Sequence, residues 1–212
     1  ASTDPLTGLA NRRAFMGRAK NAIAIWQRRR TSVGEILIDI DHFKQLNDRY
    51  GHQGGDAVLR SFARTVTDNL RDTDFAARVG GEEFAILVSG EDAEGLATAA
   101  ERFRTAVEND VVTHNGREIR YTASMGVALL PDESNWPGNR DKPKNARDAL
   151  RPPREAEDLL TLLYSAADRR LYQAKERGRT RCAISQMPAT VARAGHHTHL
   201  HTPLLLHARP SH

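Results

Sequence analysis

Arg78-Val79-Gly80-Gly81-Glu82-Glu83-Phe84 is the stretch on which the reading of this chain turns. Phe75-Ala76-Ala77 runs up to it and Phe84-Ala85-Ile86-Leu87-Val88 leaves it, both with strand composition. Gly80-Gly81 between two strands predicts a tight hairpin turn in which glycine supplies positive φ. Glu82 and Glu83 then emerge side by side. Successive strand residues point to opposite faces, so one carboxylate can face a ligand while the other faces elsewhere. A lone Gly-Gly-Glu-Glu is a polar hairpin tip, and partners elsewhere in the chain argue for more.

The first partner is Glu35-Ile36-Leu37-Ile38-Asp39-Ile40-Asp41, an apolar run that predicts a strand buried on both faces. Asp39 interrupts it. A carboxylate there is costly unless it is paired, hydrogen-bonded or bound to metal, which makes Asp39 a metal candidate. Asp41 reads as a carboxylate satisfied by backbone N–H groups, or as the cap of the next helix. His42 to Tyr50 predicts a short helix with Phe43, Leu46 and Tyr50 inward, broken by Gly51-His52-Gln53-Gly54-Gly55. A second helix is expected from about Asp56 to Leu70, burying Val58, Leu59, Phe62 and Val66. Glycines ahead of a helix can admit an anion, although turns need glycine anyway. The chain has no GxxxxGK[ST] loop, which excludes the P-loop motif.

The flanks complete the pattern. Asp4-Pro5-Leu6-Thr7-Gly8-Leu9 is turn-rich, and Asn11 is a predicted N-cap for a helix to about Arg30. Phe15, Ala19, Ile23 and Trp26 recur at helical spacing, and Arg28-Arg29-Arg30 suits the negative end of the helix dipole. After the hairpin, Asp92 to Glu108 predicts a helix burying Leu96, Ala100, Phe103 and Val107. Asn115-Gly116 signals a hairpin between Val111-Val112-Thr113 and Ile119-Arg120-Tyr121, its second strand continuing through Ser124-Met125-Gly126-Val127-Ala128. Residues 131–157 are rich in Pro, Asn, Asp, Arg and Lys and read as a loop insertion. Asp158 to Arg177 predicts a helix stopped by Gly178, and Thr180 to Ile184 a last strand.

Residues 186–212 carry Pro188, Pro203 and Pro210 with His196, His197, His199 and His201. Such histidines can bind a transition metal, but no caps or core residues accompany them, so the segment reads as a disordered or vector-derived tail. One α+β domain over 1–185 is expected, with a mixed, antiparallel-rich central sheet flanked by helices.

Composition narrows the function classes. A chain of 212 residues holds one domain with a proper core, and the net charge of +4 tolerates a polyanionic ligand without requiring one. Cys182 is the single cysteine, which excludes an internal disulfide framework and suits a reducing, cytoplasmic setting. No apolar run is long enough to span a bilayer, so no membrane contact is expected of this segment. The start at Ala1 suggests a missing upstream segment. Interleaved surface aromatics and a basic stripe are both lacking, which argues against a nucleic-acid-binding domain.

Taken together, the motifs resemble one family. Asp4-Pro5-Leu6-Thr7-Gly8-Leu9-Ala10-Asn11-Arg12, Asp39-Ile40-Asp41-His42-Phe43-Lys44, Asn47-Asp48, Gly51-His52, Gly55-Asp56 and the Gly80-Gly81-Glu82-Glu83-Phe84 signature stand in the order seen in GGDEF domains. Ser124-Met125-Gly126-Val127-Ala128, Ala167-Asp168 and Leu171-Tyr172-Gln173-Ala174-Lys175 complete the series. The resemblance to a diguanylate cyclase runs from about Asp4 to Ile184, with Glu82 where the family name has Asp. The 131–157 insertion and the tail lie outside its pattern.

The resemblance implies a core like the polymerase palm and class III nucleotide cyclases, and condensation of two GTP to cyclic di-GMP with release of two pyrophosphates. It implies Mg²⁺ (or Mn²⁺), two per half-site, on Asp39, Glu82, Glu83 and the Ile40 carbonyl. Glu83 would serve the metal centre or activate the 3′-hydroxyl. Asn47 and Asp56 would read guanine. The backbone near His42 and Phe43, with Lys44, Lys175 and Arg179, would hold phosphates. The spacing of Lys175 and Arg179 would set both on one side of the last helix. Arg71 and Asp74 match the family's inhibitory R-x-x-D site for product, and Arg102 matches a second inhibitory arginine. A transient homodimer and an upstream sensory or regulatory domain are implied as well. The alternative is an inactive domain that only binds cyclic di-GMP or GTP.

Overall fold

The eight-residue strand β2 (Val33–Ile40) is buried along its whole length and forms the spine of the sheet. The structure is a computed structural model and describes residues 2–29, 31–130, 156–179 and 182–186. Before β2 stand β1 (Ala10–Asn11) and α1 (Arg12–Arg29); after it come α2 (Phe43–Asp68), β3 (Phe75–Arg78), β4 (Glu83–Ser89) and α3 (Ala93–Glu108). Then follow β5 (Val111–His114), β6 (Arg117–Arg120), β7 (Ala123–Leu130), α4 (Ala156–Glu176) and β8 (Cys182–Gln186).

The main sheet runs β1-β3-β4-β2-β7-β8, with β5 and β6 in a two-stranded sheet of their own. The inner strands pair antiparallel, β2 with both β4 and β7, and β3 with β4. Only the outer pairs, β1 with β3 and β7 with β8, are parallel. This is the expected mixed, antiparallel-rich sheet of a palm-like α+β domain.

Strand alternation divides the core in two. Ile36, Ile38, Ile40, Phe84, Ile86, Met125 and Val127 face α2 and α3, meeting Phe62, Leu59, Leu96 and Phe103. Val33, Leu37, Ala85, Leu87, Ala128 and Leu130 face α1 and α4, meeting Phe15, Ile23, Trp26, Leu163 and Leu171. Asp39 belongs by alternation to the second face, so its carboxylate points toward the α4 side. Among the described residues, no helix is long and apolar enough to cross a membrane.

Local signals explain most boundaries. Asn11 caps α1 as expected, its Oδ1 accepting from Ala14 N–H at 3.0 Å. Asp92 caps α3 through Gly95 N–H at 2.7 Å. Asn115 and Gly116 both take positive φ, 49° and 72°, as a two-residue hairpin turn of this type needs. α4 ends in a Schellman turn on Gly178 (φ 105°), with Arg179 N–H donating to the Ala174 carbonyl at 3.1 Å.

Five expectations are corrected. The helix pair at 42–70, labelled together as α2, breaks at Gly51 (φ 75°, ψ 168°) as expected, but Gly54 and Gly55 lie inside its second helix rather than in the break. Neither Gly80 nor Gly81 has positive φ. Gly80 instead lies against the Glu83 side chain, whose carboxylate a Cβ there would displace. β6 and β7 are separate strands in different sheets, divided at Tyr121-Thr122. β1, two residues long, was not expected. α4 starts at Ala156, inside the predicted insertion, whose remaining residues, like the predicted tail beyond Gln186, lie outside the described residues.

Candidate active site

Asp39 sits near the end of β2, directly opposite Glu83 on β4. Residues directly opposite in an antiparallel pair share a face, so the two carboxylates stand on the same side of the sheet. Glu82 lies one residue earlier, in the turn, where its carbonyl accepts from Ile40 N–H at 3.2 Å. The turn closes on the Glu83 carbonyl, which accepts from Val79 N–H at 2.9 Å and Gly80 N–H at 3.1 Å.

A brace from the N-terminal motif holds this turn. Arg78 donates through Nη2 and Nε to the Gly81 carbonyl, at 2.7 and 3.0 Å, and through Nη1 to both Asp4 carboxylate oxygens at 3.2 Å. Thr7 adds backbone and hydroxyl hydrogen bonds to Asp4 Oδ1, at 2.9 and 2.7 Å. Burial works against the charged form of Asp4, but the Thr7 hydrogen bonds and the Arg78 guanidinium prevail and hold its carboxyl below the usual range.

Lys175, one residue from the end of α4, reaches Asp39, with Nζ 2.8 Å from Oδ2. The helix comes this close because β7 has glycine beneath it. A Cβ on Gly126 would run into the Ala167 carbonyl and the Leu171 backbone. Burial pushes the Asp39 carboxyl up to about 6, Lys175 pulls it down, and the like charges of Glu82 and Glu83 push it up again. Tyr164 of α4 is also pushed up, first by burial and then by Glu83, Glu35 and Asp168.

Arg179 departs from its expected place. α4 ends at Glu176, and Arg179 lies beyond the glycine stop with φ 61°, so it does not share a helix face with Lys175. His42, not Asp41, is the N-cap residue of α2. The Asp41 carboxylate accepts from the Thr122 and Ser124 hydroxyls, at 2.7 Å each, and Asp41 N–H donates to the Thr122 carbonyl at 2.9 Å.

This anchors the corner where His42, in left-handed conformation, leads into Phe43 and Lys44 without a side-chain cap. The first turn of a helix leaves N–H groups without intrahelical acceptors, which suits an anion. Farther along α2, Asn47 Oδ1 occupies the space a Cβ on Gly55 would fill. Asn47 is thereby brought across the Gly51 kink to the residue next to Asp56.

The R-x-x-D stretch lies between α2 and β3. Arg71 N–H donates to Asp74 Oδ2 at 3.0 Å, and Asp74 Oδ1 is buried without a hydrogen-bond partner among the described residues. The Arg71 guanidinium forms an ion pair with Glu91. Arg102 reaches over from α3 to the Asn69 carbonyl at 3.1 Å, so Arg71, Asp74 and Arg102 belong to one neighbourhood.

The donor set around Asp39 is all carboxylate and crowded with like charge, which fits a hard cation. Among the described residues, no three acidic, histidine or cysteine side chains are gathered closely enough to hold one as they stand. The Lys175 ammonium supplies the positive charge in this arrangement.

The family model for the GGDEF domain, described as diguanylate cyclase, matches residues 1–157. The chain belongs to the GGDEF family. Diguanylate cyclase DgcS of Shewanella oneidensis is 37% identical over 180 residues, covering 84% of this chain and 51% of that protein. Among solved structures, the GGDEF domain of DgcB from Caulobacter crescentus in complex with c-di-GMP aligns with a TM-score of 0.70 and 33% identity, covering 87% of this chain and 95% of that one. The active GGEEF domain of a diguanylate cyclase from Vibrio cholerae aligns at 0.66 with 30% identity, over 85% of this chain and 99% of that one. The chain spans about half the length of the curated relatives it matches first.

Within this GGDEF fold, sequence reasoning missed three features of the site. Arg78 and Asp4 stood inside quoted motifs, yet nothing in their spacing announced a salt bridge between them. Tyr164 read only as part of a helix. Glu35 opened a strand but is fully buried, with no hydrogen-bond partner among the described residues for either carboxylate oxygen. Its one legible signal was a charged residue beginning an apolar run.

Proposed function

We propose that the chain is a diguanylate cyclase that condenses two GTP into cyclic di-GMP and releases two pyrophosphates. One observation carries this reading: Asp39 stands buried in register with Glu83, beside Glu82, with the Lys175 ammonium at its carboxylate. Phosphoryl transfer needs positioning and charge neutralisation more than covalent help from the protein. Asp39, Glu82, Glu83 and the Ile40 carbonyl would hold Mg²⁺ or Mn²⁺, two per half-site. Such ions supply charge neutralisation at the phosphates and make the 3′-oxygen a better nucleophile.

The chain's own residues do the rest. Asn47 and Asp56 pair the guanine edge, an amide and a carboxylate matching its donors and acceptors. The start of α2 at His42 and Phe43, with Lys44, Lys175 and Arg179, holds the phosphates. A carboxylate of the Glu82–Glu83 pair takes the 3′-hydroxyl proton. The 3′-oxygen of each GTP bonds to the α-phosphorus of the other, and each bond from that phosphorus to pyrophosphate breaks.

Each domain carries one such half-site, so two copies meet face to face as an isologous, transient pair. Cyclic di-GMP returns to Arg71, Asp74 and Arg102 as an inhibitor. The chain acts as the output part of a longer protein whose other part senses a signal, in a cytoplasmic setting. A module that binds cyclic di-GMP or GTP without turnover is the alternative reading.

Incubation with GTP and Mg²⁺, followed by chromatography, separates the two. The wild type is expected to yield cyclic di-GMP. Glu82→Gln and Glu83→Gln should each lose at least about a hundredfold in rate with unchanged circular dichroism. Full activity in either variant removes that residue from the site.

A further inference from the structure

Glu91 precedes the capping residue of α3 and does not belong to any motif singled out above. Its carboxylate nonetheless holds the guanidinium of Arg71 across the β4–α3 corner. Gly95 lies under the Glu91 carboxylate, whose Oε2 stands close to where a Cβ would be. The Glu91 side chain is 23% exposed, against 53% for that of Arg71. The N-terminus of α3 adds its positive end to the attraction. Asp74 is turned inward at the same time, onto the Arg71 backbone N–H.

We infer that Glu91 is an internal competitor for the anionic ligand of Arg71, setting how tightly this chain binds cyclic di-GMP. This rests on the reading of Arg71 and Asp74 as the product site. A guanidinium presents one planar fork, which suits either a carboxylate or the phosphate and guanine acceptors of the ligand. While Glu91 occupies that fork, the ligand must displace it. The affinity seen from outside is the intrinsic one reduced by the fraction of Arg71 that is released. For a partly exposed ion pair the reduction is about two- to fivefold.

Titration calorimetry with cyclic di-GMP tests this on the wild type, Glu91→Gln, Arg71→Ala and the double variant, with circular dichroism confirming that each is folded. Glu91→Gln is expected to tighten binding about two- to fivefold. Arg71→Ala should weaken it, and in that background Glu91→Gln should have no further effect. Weaker binding in Arg71→Ala with unchanged or weaker binding in Glu91→Gln keeps the product site and overturns the competition. Equal tightening in both backgrounds makes Glu91 a diffuse charge effect and also overturns it. Unchanged affinity in Arg71→Ala removes the product site itself, and the competition with it.

Discussion

Lys175 Nζ and Asp39 Oδ2 are 2.8 Å apart, joining the end of α4 to the end of β2 at the centre of the carboxylate cluster. This places a protein cation on the carboxylate proposed as a metal ligand, so the two cations compete. Lys175→Met should let Mn²⁺ alone bind more tightly, by about fivefold if the pair is worth about 1 kcal/mol. Turnover of GTP should fall about a hundredfold in the same variant, because a phosphate contact is lost. Calorimetry with Mn²⁺ and a GTP turnover assay read the two arms. Unchanged or weaker Mn²⁺ binding would show that Lys175 does not compete.

Gly126 sets the reach of that lysine. With the α4 backbone resting on its Cα, Gly126→Ala must lift the helix. Overpacking of this kind costs about 1–3 kcal/mol, readable by urea denaturation. Lys175 should retreat with the helix, so Mn²⁺ affinity should rise as in Lys175→Met. A stability loss without any change in Mn²⁺ binding would separate the packing from the positioning.

Glu35 makes stability depend on pH. Burial pushes its carboxyl up to about 8, from an ordinary 4.5. The folded state therefore keeps a proton that the unfolded chain gives up, and stability falls as pH rises between those values. Roughly 3–4 kcal/mol is at stake between pH 5 and pH 8, judged from the size of the shift. Glu35→Gln should flatten this dependence and be the more stable protein at alkaline pH. Parallel pH profiles for the two proteins would place the proton elsewhere.

Asp4 and Arg78 brace the signature turn, and their contribution has the opposite pH sign. The Asp4 carboxyl is held below its ordinary value of 3.8, so its stabilisation is present above that value and lost as pH falls through the lowered one. Asp4→Asn should cost about 1–2 kcal/mol at neutral pH, as expected for a part-buried hydrogen bond to a charged group. The cost should fade in acid. It should also slow turnover, since Gly81 precedes the Glu82–Glu83 pair and loses its anchored donor. An unchanged denaturation midpoint at neutral pH would show the brace to be incidental.

What the sequence made legible was periodic or local. Phe15, Ala19, Ile23 and Trp26 are all buried on α1, as their spacing requires. Asn11 acts through a side-chain oxygen on its own first turn, and Asn115-Gly116 and Gly178 through their own backbone, so the residue type alone announced them. The failures share another cause. Gly80 was read for positive φ, whereas its glycine answers to the Glu83 side chain three residues on. Gly54 and Gly55 looked like loop residues, but α2 folds across the Gly51 kink so that they lie against its own Tyr50 and Asn47 and against His114 of β5, which uses their missing side chains. Asp41 found Thr122 and Ser124, and Arg71 found Glu91, across separations that no local pattern encodes. Arg179 followed helical spacing only as far as the helix continued.

The central claim is that two copies of this chain, each holding one GTP, make the product together. The most direct test is the rate of cyclic di-GMP formation from GTP and Mg²⁺, per mole of enzyme, across a wide dilution series. Ultracentrifugation of the same samples supplies the monomer fraction. The rate per mole should rise with enzyme concentration, and an upstream parallel coiled coil should raise it further by increasing effective concentration. A rate per mole that stays flat in samples shown to be monomeric would contradict the account, as would the absence of cyclic product at every concentration.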